Sequence, residues 1–178
     1  MPRGKGQGMN RARVMSLVVV SAALVSLIVL SGCGFLAQKA VEGATGVKVD
    51  QGNGSVTVQG KNGGSATVQQ GKIPDGFPAD FAVYSGSIKM GNRVQSPDGT
   101  LYQVTIETAD DPKTVADWYD EKLKTAGWTI DSRNNVNSNG KAASTIIAKK
   151  DKQQAMIIAG TQSDGNLTEV NVSIQSKP

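Results

Sequence analysis

The chain has no histidine, a single cysteine in 178 residues, and only 4% aromatic side chains. Each shortage closes a class of function. Without histidine there is no side chain that titrates unaided near neutral pH, and the commonest catalytic metal ligand is missing. A Ser-His-Asp arrangement cannot form. One cysteine allows no disulfide within the chain and no set of thiolates around a metal. A hydrophobic core therefore has to hold the fold. No Ser-x-x-Lys falls on a helical stretch, and Ser85-Gly86-Ser87-Ile88-Lys89 reads as a turn entering a strand. No glycine loop of the nucleotide-binding kinds occurs; the 21 glycines sit in turn contexts. Asp110 and Asp111 precede a helix, where capping accounts for them, and the alternating acids of a calcium loop are absent. Lys149-Lys150-Asp151-Lys152 reads as a solvated hairpin turn. These absences point away from an enzyme, with no metal and no cofactor expected.

What is present is an address. A basic start carrying Arg3, Lys5, Arg11 and Arg13 leads into an apolar run from Val14 to Leu30, and small residues follow. That order is the pattern of a signal peptide over residues 1–32, with Met9 an alternative start. Leu30-Ser31-Gly32-Cys33 resembles the lipobox of bacterial lipoproteins, which implies a diacylglycerol on Cys33 and cleavage just before it. Each buried methylene of an acyl chain contributes about 0.8 kcal/mol, so two or three chains hold a protein durably. The competing reading is an uncleaved membrane helix. The run of 17 residues is at the short edge for spanning, and no basic cluster follows it before Lys39. Removing residues 1–32 takes four cations away and leaves fifteen cations against fifteen anions. The sequence pI of about 9.2 thus describes the precursor, and no nucleic-acid partner is expected.

The remaining 146 residues divide by pattern into three parts. Residues 33–45 read as a lipidated tether, in which Phe35 to Glu42 can form a short surface helix. Residues 46–71 form a Gly-rich β-repeat. Gly54-Ser55-Val56-Thr57-Val58-Gln59 is echoed by Gly64-Ser65-Ala66-Thr67-Val68-Gln69, with Val47-Lys48-Val49-Asp50 a weaker copy. Three such short strands bury little and need another surface to pack on. Residues 72–178 read as an α+β domain. Proline-marked Ile73 to Tyr84 leads in, pinned by Phe77, Phe81, Val83 and Tyr84.

Strands are expected at Ser87 to Val94, Leu101 to Thr108, Ala143 to Lys149, Gln154 to Thr161 and Thr168 to Gln175. Turns are expected at Pro97-Asp98-Gly99, Asn134 to Gly140 and Ser163 to Asn166. Asp111 is a fitting N-cap, Pro112 the first helical residue, and Gly127 the stop. Val115, Trp118, Tyr119, Leu123 and Ala126 make one apolar stripe opposite Asp117, Asp120, Glu121 and Lys124. The expected fold class is α+β, one helix packed on an antiparallel sheet in the order β-β-α-β-β-β, preceded by a separate short β-meander.

Pro74-Asp75-Gly76-Phe77-Pro78, then Val115-Ala116-Asp117-Trp118-Tyr119 and Ala126-Gly127-Trp128, resemble a group of uncharacterised bacterial lipoproteins. The resemblance spans Lys72 to Gln175, departing at Ser85, where the group's pattern has a proline. It implies a fold and a place in the envelope, membrane or outer membrane, facing outside the cytoplasm; it implies no activity. Trp118, Tyr119 and Trp128 are the candidate ligand or partner contacts, although the helix stripe also explains them as core. The sequence thus points to a lipid-anchored, non-catalytic interaction or assembly module with an unknown envelope partner. The alternative is a carrier of a small lipid or glycan in an apolar pocket under the helix. For the anchor, Cys33→Ala is expected to abolish acyl labelling and to accumulate uncleaved precursor; normal maturation of that variant would rule the lipid site out.

Overall fold

The computed structural model describes residues 48–178 apart from 53, 61, 62 and 164. The expected signal peptide, the expected tether and Cys33 lie outside these residues. So do Val47 of the weaker repeat copy and the turn residues Asn53, Asn62 and Asp164.

Among the described residues nine strands and one helix follow in order: β1 (Lys48–Gly52), β2 (Ser55–Gln59), β3 (Ser65–Gln70), β4 (Ser87–Ser96), β5 (Gly99–Thr108), α1 (Pro112–Thr125), β6 (Thr129–Ser138), β7 (Lys141–Lys150), β8 (Gln153–Thr161) and β9 (Thr168–Ser176). All nine strands join one sheet, in the order β1-β2-β3-β4-β5-β9-β8-β7-β6, and every pairing is antiparallel. This corrects the β-β-α-β-β-β class with its separate meander in two respects. First, the meander is part of the main sheet: Gln70 pairs with Met90 and Ser65 with Gln95, so β3 extends the ladder from β4. Short strands that bury little gain backbone hydrogen bonds from a longer neighbour. Second, four strands follow the helix. β6 runs through Asn134, Asn135, Val136, Asn137 and Ser138, where a turn was expected. Those polar residues show no apolar alternation, but Asn139 and Gly140 both have positive φ (51° and 76°). A two-residue loop of that conformation closes a hairpin, so the turn chemistry sets the strand where the hydrophobic pattern does not.

The helix forms as its signals dictate. Asp111 accepts from the backbone N–H of Lys113 (2.9 Å) and Thr114 (3.0 Å), and Pro112 occupies the first turn. Gly127, at φ 80°, lets the Trp128 N–H reach back to the Leu123 carbonyl (2.9 Å). The helix lies on β6, β7 and β8, burying Val115, Ala116, Tyr119 and Leu123. Beneath it the sheet presents Ile146, Ala148, Ala155, Ile157 and Ala159, continued by Val170, Val172, Ile174, Val104 and Ile106. Ion pairs flank this core. Asp117 meets Arg133 of β6, and Asp80 meets Lys150 of β7 (2.6 Å).

Where the helix does not reach, the lead-in of residues 71–86 covers the sheet. Phe81 and Tyr84 are buried in the core, and Phe77 sits 6.1 Å from Tyr102, centroid to centroid. The lead-in crosses β4 at Gly91. A Cβ there would strike the Lys72 carbonyl oxygen and lie 2.7 Å from Pro74 Cδ. Backbone and a proline ring cannot swing aside as a flexible side chain does. Gly91→Ala is therefore expected to destabilise the domain by about 1–3 kcal/mol, the usual range for overpacking, read as a lower denaturation midpoint. An unchanged midpoint would mean that the lead-in is not seated on β4.

Candidate functional site

Phe81, Tyr84, Trp118, Tyr119 and Trp128 form one aromatic cluster, which places all three sequence candidates together. Trp118 packs edge-on against Tyr84 at 5.0 Å and Tyr119 at 4.9 Å, and Phe81 meets Trp128 at 5.4 Å. Tyr119 and Trp128 are core residues, whereas Trp118 is half-buried beneath Lys122, whose Nζ lies 5.9 Å from its ring. The gap bounded by Phe81, Tyr119, Leu123, Ala126 and Trp128 has no room for a water molecule. The aromatics fill the space beneath the helix rather than line it. One polar atom there is unsatisfied, the Trp128 Nε1.

Two tyrosines tie the cluster to the polypeptide around it. The Tyr84 backbone N–H donates to the Tyr119 hydroxyl at 3.2 Å, and the Tyr84 hydroxyl donates to Asp110 Oδ2 at 2.8 Å. Thr108 donates to the same carboxylate oxygen at 3.1 Å. Burial first, and then the Asp110 carboxylate, pushes the Tyr84 phenol up to about 12. Burial also pushes Tyr119 up.

The opposite face of the sheet is different. Cross-strand partners share a face, so the register sorts the side chains. Val104, Ile106, Val170, Val172, Ile157 and Ile146 face the helix; Gln103, Thr105, Asn171, Ser173, Met156, Ile158 and Ile147 face away from it. In β4 the register shifts between Ile88 and Met90, a bulge at Lys89. Beyond it Met90 and Val94 face away from the helix, opposite Thr105 and Leu101. The meander follows β4. Val94 pairs with Ala66, Ala66 with Val58, and Val68 with Val56, so the apolar side of β2 and β3 also faces away. Their polar side faces the helix side, where Thr57 and Thr67 hydrogen-bond at 3.0 Å. The sheet thus changes its apolar side at β4.

Sequence reasoning missed this surface. Alternation in the meander is visible in Val56, Val58, Ala66 and Val68, but which face it joins depends on the bulge. Six large apolar side chains are exposed among the described residues, by 38% to 52%. Five of them, Met90, Val94, Val136, Met156 and Ile158, lie on the helix-free face.

A polar band divides that face. Gln103 bonds Ser173 at 3.4 Å and Thr105 bonds Asn171 at 2.9 Å. At one end Glu107 stands opposite Glu169, an unfavourable pairing of like charges. It is relieved by Lys89 (2.8 Å) and Gln162 (2.9 Å) on Glu107, which hold its carboxyl below the usual range, and by Asn171 (2.8 Å) on Glu169. A shallow hollow of about 660 Å³ lies beside them, bounded by Ile158, Gly160, Gln162, Glu169 and Asn171. Among the described residues no cluster of acids could hold a metal ion, and no helix is long and apolar enough to cross a membrane.

Among the described residues, the sheet, one helix and the filled core define a small domain with one sheet face covered and the other left open. Residues 88–165, from β4 to the turn after β8, match a family described as START domain-like. That span is less than half of the chain. No curated protein matches the sequence.

The Tyr84–Asp110 bond gives the cluster a measurable signature. Because folding raises this phenol's pKa above its ordinary 10.0, its contribution to stability is full below pH 10 and lost as pH rises through about 12. Asp110→Asn is expected to lower the Tyr84 midpoint in a tyrosine absorbance titration and to shrink the stability lost across that interval. An unmoved midpoint would show that the carboxylate does not act on the phenol.

Proposed function

We propose that this is a lipid-anchored cell-envelope protein whose domain is a non-catalytic interaction module, working through the helix-free face of its sheet. The observation that carries the reading is the partition of apolar surface. The helix side is filled by its own aromatics, while five of the six large apolar residues exposed among the described residues are on the other face, on both sides of its polar band. Such a concentration marks an interaction surface more often than scattered exposed residues do. The anchor rests on the lipobox-like Leu30-Ser31-Gly32-Cys33 and on the resemblance to uncharacterised bacterial lipoproteins. In this reading the membrane is one partner, through the lipid on Cys33, and an envelope protein is the other. The missing histidine and the single, lipidated cysteine support the non-catalytic part.

A second reading, a carrier of a small lipid or glycan, draws support from the START domain-like match. It requires the helix to lift, because nothing fits between it and the sheet as they stand. The unpartnered Trp128 Nε1 would then meet an acceptor on the ligand.

Cross-linking separates the two. From Ile158→Cys in the full-length protein, in intact envelopes, one dominant protein adduct is expected. Adding Met156→Lys should weaken it about tenfold, the effect of an interface residue worth ~1.4 kcal/mol. A lipid or glycan that co-purifies, with no protein adduct, would instead support the carrier.

A further inference from the structure

We infer that the β1–β5 half of the helix-free face is a self-association surface, on which the apolar meander of one copy packs face to face against that of a second copy. The inference rests on the interaction-module reading in one respect, that the helix-free face is the working surface; it adds the partner.

The composition of this half decides the occupant. Val56, Val58, Ala66, Val68, Met90, Val94 and Leu101 make its apolar part, interrupted by Gln70, Asn92 and Gln103. Among the described residues of β2 to β5 as far as Thr105, Lys89 at the bulge is the one charged side chain on this face, and it is bound to Glu107 at its edge. A two-fold contact places a patch against itself, so any net charge in it would repel its own image. A neutral patch carries no such penalty. It also gives a foreign charged partner nothing to recognise. A membrane surface fits less well, because binding there draws on aromatic anchors and cations on the contact face. Here the one cation is already paired, and the only aromatic of the strands β2 to β5, Tyr102, faces the helix side with Phe77.

Shape and size agree. Short β-branched and alanine side chains on a regular ladder are what the inner face of a two-sheet sandwich carries, with the sheets about 10 Å apart. From a strand spacing of ~4.8 Å and a rise of ~3.3 Å per residue, β1 to β5 present a footprint of about 600 Å² per copy. Two copies bury about 1,200 Å², at the lower end of stable interfaces. Confinement to one membrane offsets that modest area by raising the effective concentration of copies. The fourteen residues between Cys33 and Lys48 give each domain up to about 50 Å of reach from its lipid.

The test uses the full-length protein in its membrane. With Cys33 lipidated, Val58→Cys supplies the only free thiol. A bis-maleimide should then give a product of twice the protomer mass, while Lys122→Cys, exposed on the helix, gives none. Adding Val68→Lys should abolish the dimer band. Val68 is half-buried on an uncovered face, so the charge should leave the core intact, and unchanged Trp128 fluorescence will verify this. A Val58→Cys adduct only to a different protein would overturn self-association and leave the interaction module standing. Protection of that thiol from a water-soluble maleimide without any protein adduct would assign the face to lipid, and would also overturn it. No adduct from either Val58→Cys or Ile158→Cys would overturn both readings.

Discussion

The one-residue slip of β4 at Lys89 is the constraint on which the rest of the domain depends. A strand has a side-chain period of two, so an inserted residue moves everything beyond it to the other face. Before the slip, Ile88 pairs with Ile106 and belongs to the helix-side core. After it, Met90 and Val94 point away, and Gly91 turns towards the helix side. There the absence of a side chain lets the lead-in cross at van der Waals distance. One irregularity thus serves two ends. It makes room for the segment that carries Phe77, Phe81 and Tyr84 into the core, and it hands the meander an apolar neighbour on the opposite face.

The helix side shows the result of the first. Phe81, Tyr119 and Trp128 interlock so closely that the space under the helix is closed. Each fully buried large side chain contributes roughly 1.5–3 kcal/mol, so opening a ligand site there means giving up several such contributions at once. Between α1 and the sheet, Arg133 of β6 adds ion pairs to Asp117 and, at 3.9 Å, to Asp120, whereas Lys113 and Lys124 pair within the helix itself. These are solvent-exposed and individually weak. The aromatic cluster, not the charge network, is what keeps the helix seated.

Much of this was legible in the sequence, and the illegible remainder has specific causes. The helix was readable from end to end because its limits are chemical: Asp111 caps, Pro112 starts and Gly127 stops. β5, β7, β8 and β9 were readable because one face of each is buried, which enforces alternation. β6 was not. It is an edge strand paired among the described residues only with β7, its second half is exposed, and so nothing selected an apolar pattern in Asn134 to Ser138. Trp118, Tyr119 and Trp128 were readable as a group, but a stripe on a helix does not say whether rings fill a space or border it. The helix-free surface was out of reach, because no local signal marks Lys89 as the residue that slips.

The two faces also differ in what they demand of evolution of sequence and of physical chemistry. On the filled side, function and stability would compete: any residue freed to bind a ligand is withdrawn from the core. On the open side they do not, since Val58, Val68, Met90 and Val94 hold nothing in place from above. Polar side chains at those positions would cost the fold little, because strands tolerate them on a solvated face. The polar band of Gln103, Thr105, Asn171 and Ser173 on the same face shows that such residues are accommodated here. In one copy, the valine, alanine and methionine of this solvated face gain cross-strand contacts and partial burial. Burying the rest needs a cover, and the second copy inferred above is a cover that brings no net charge to it.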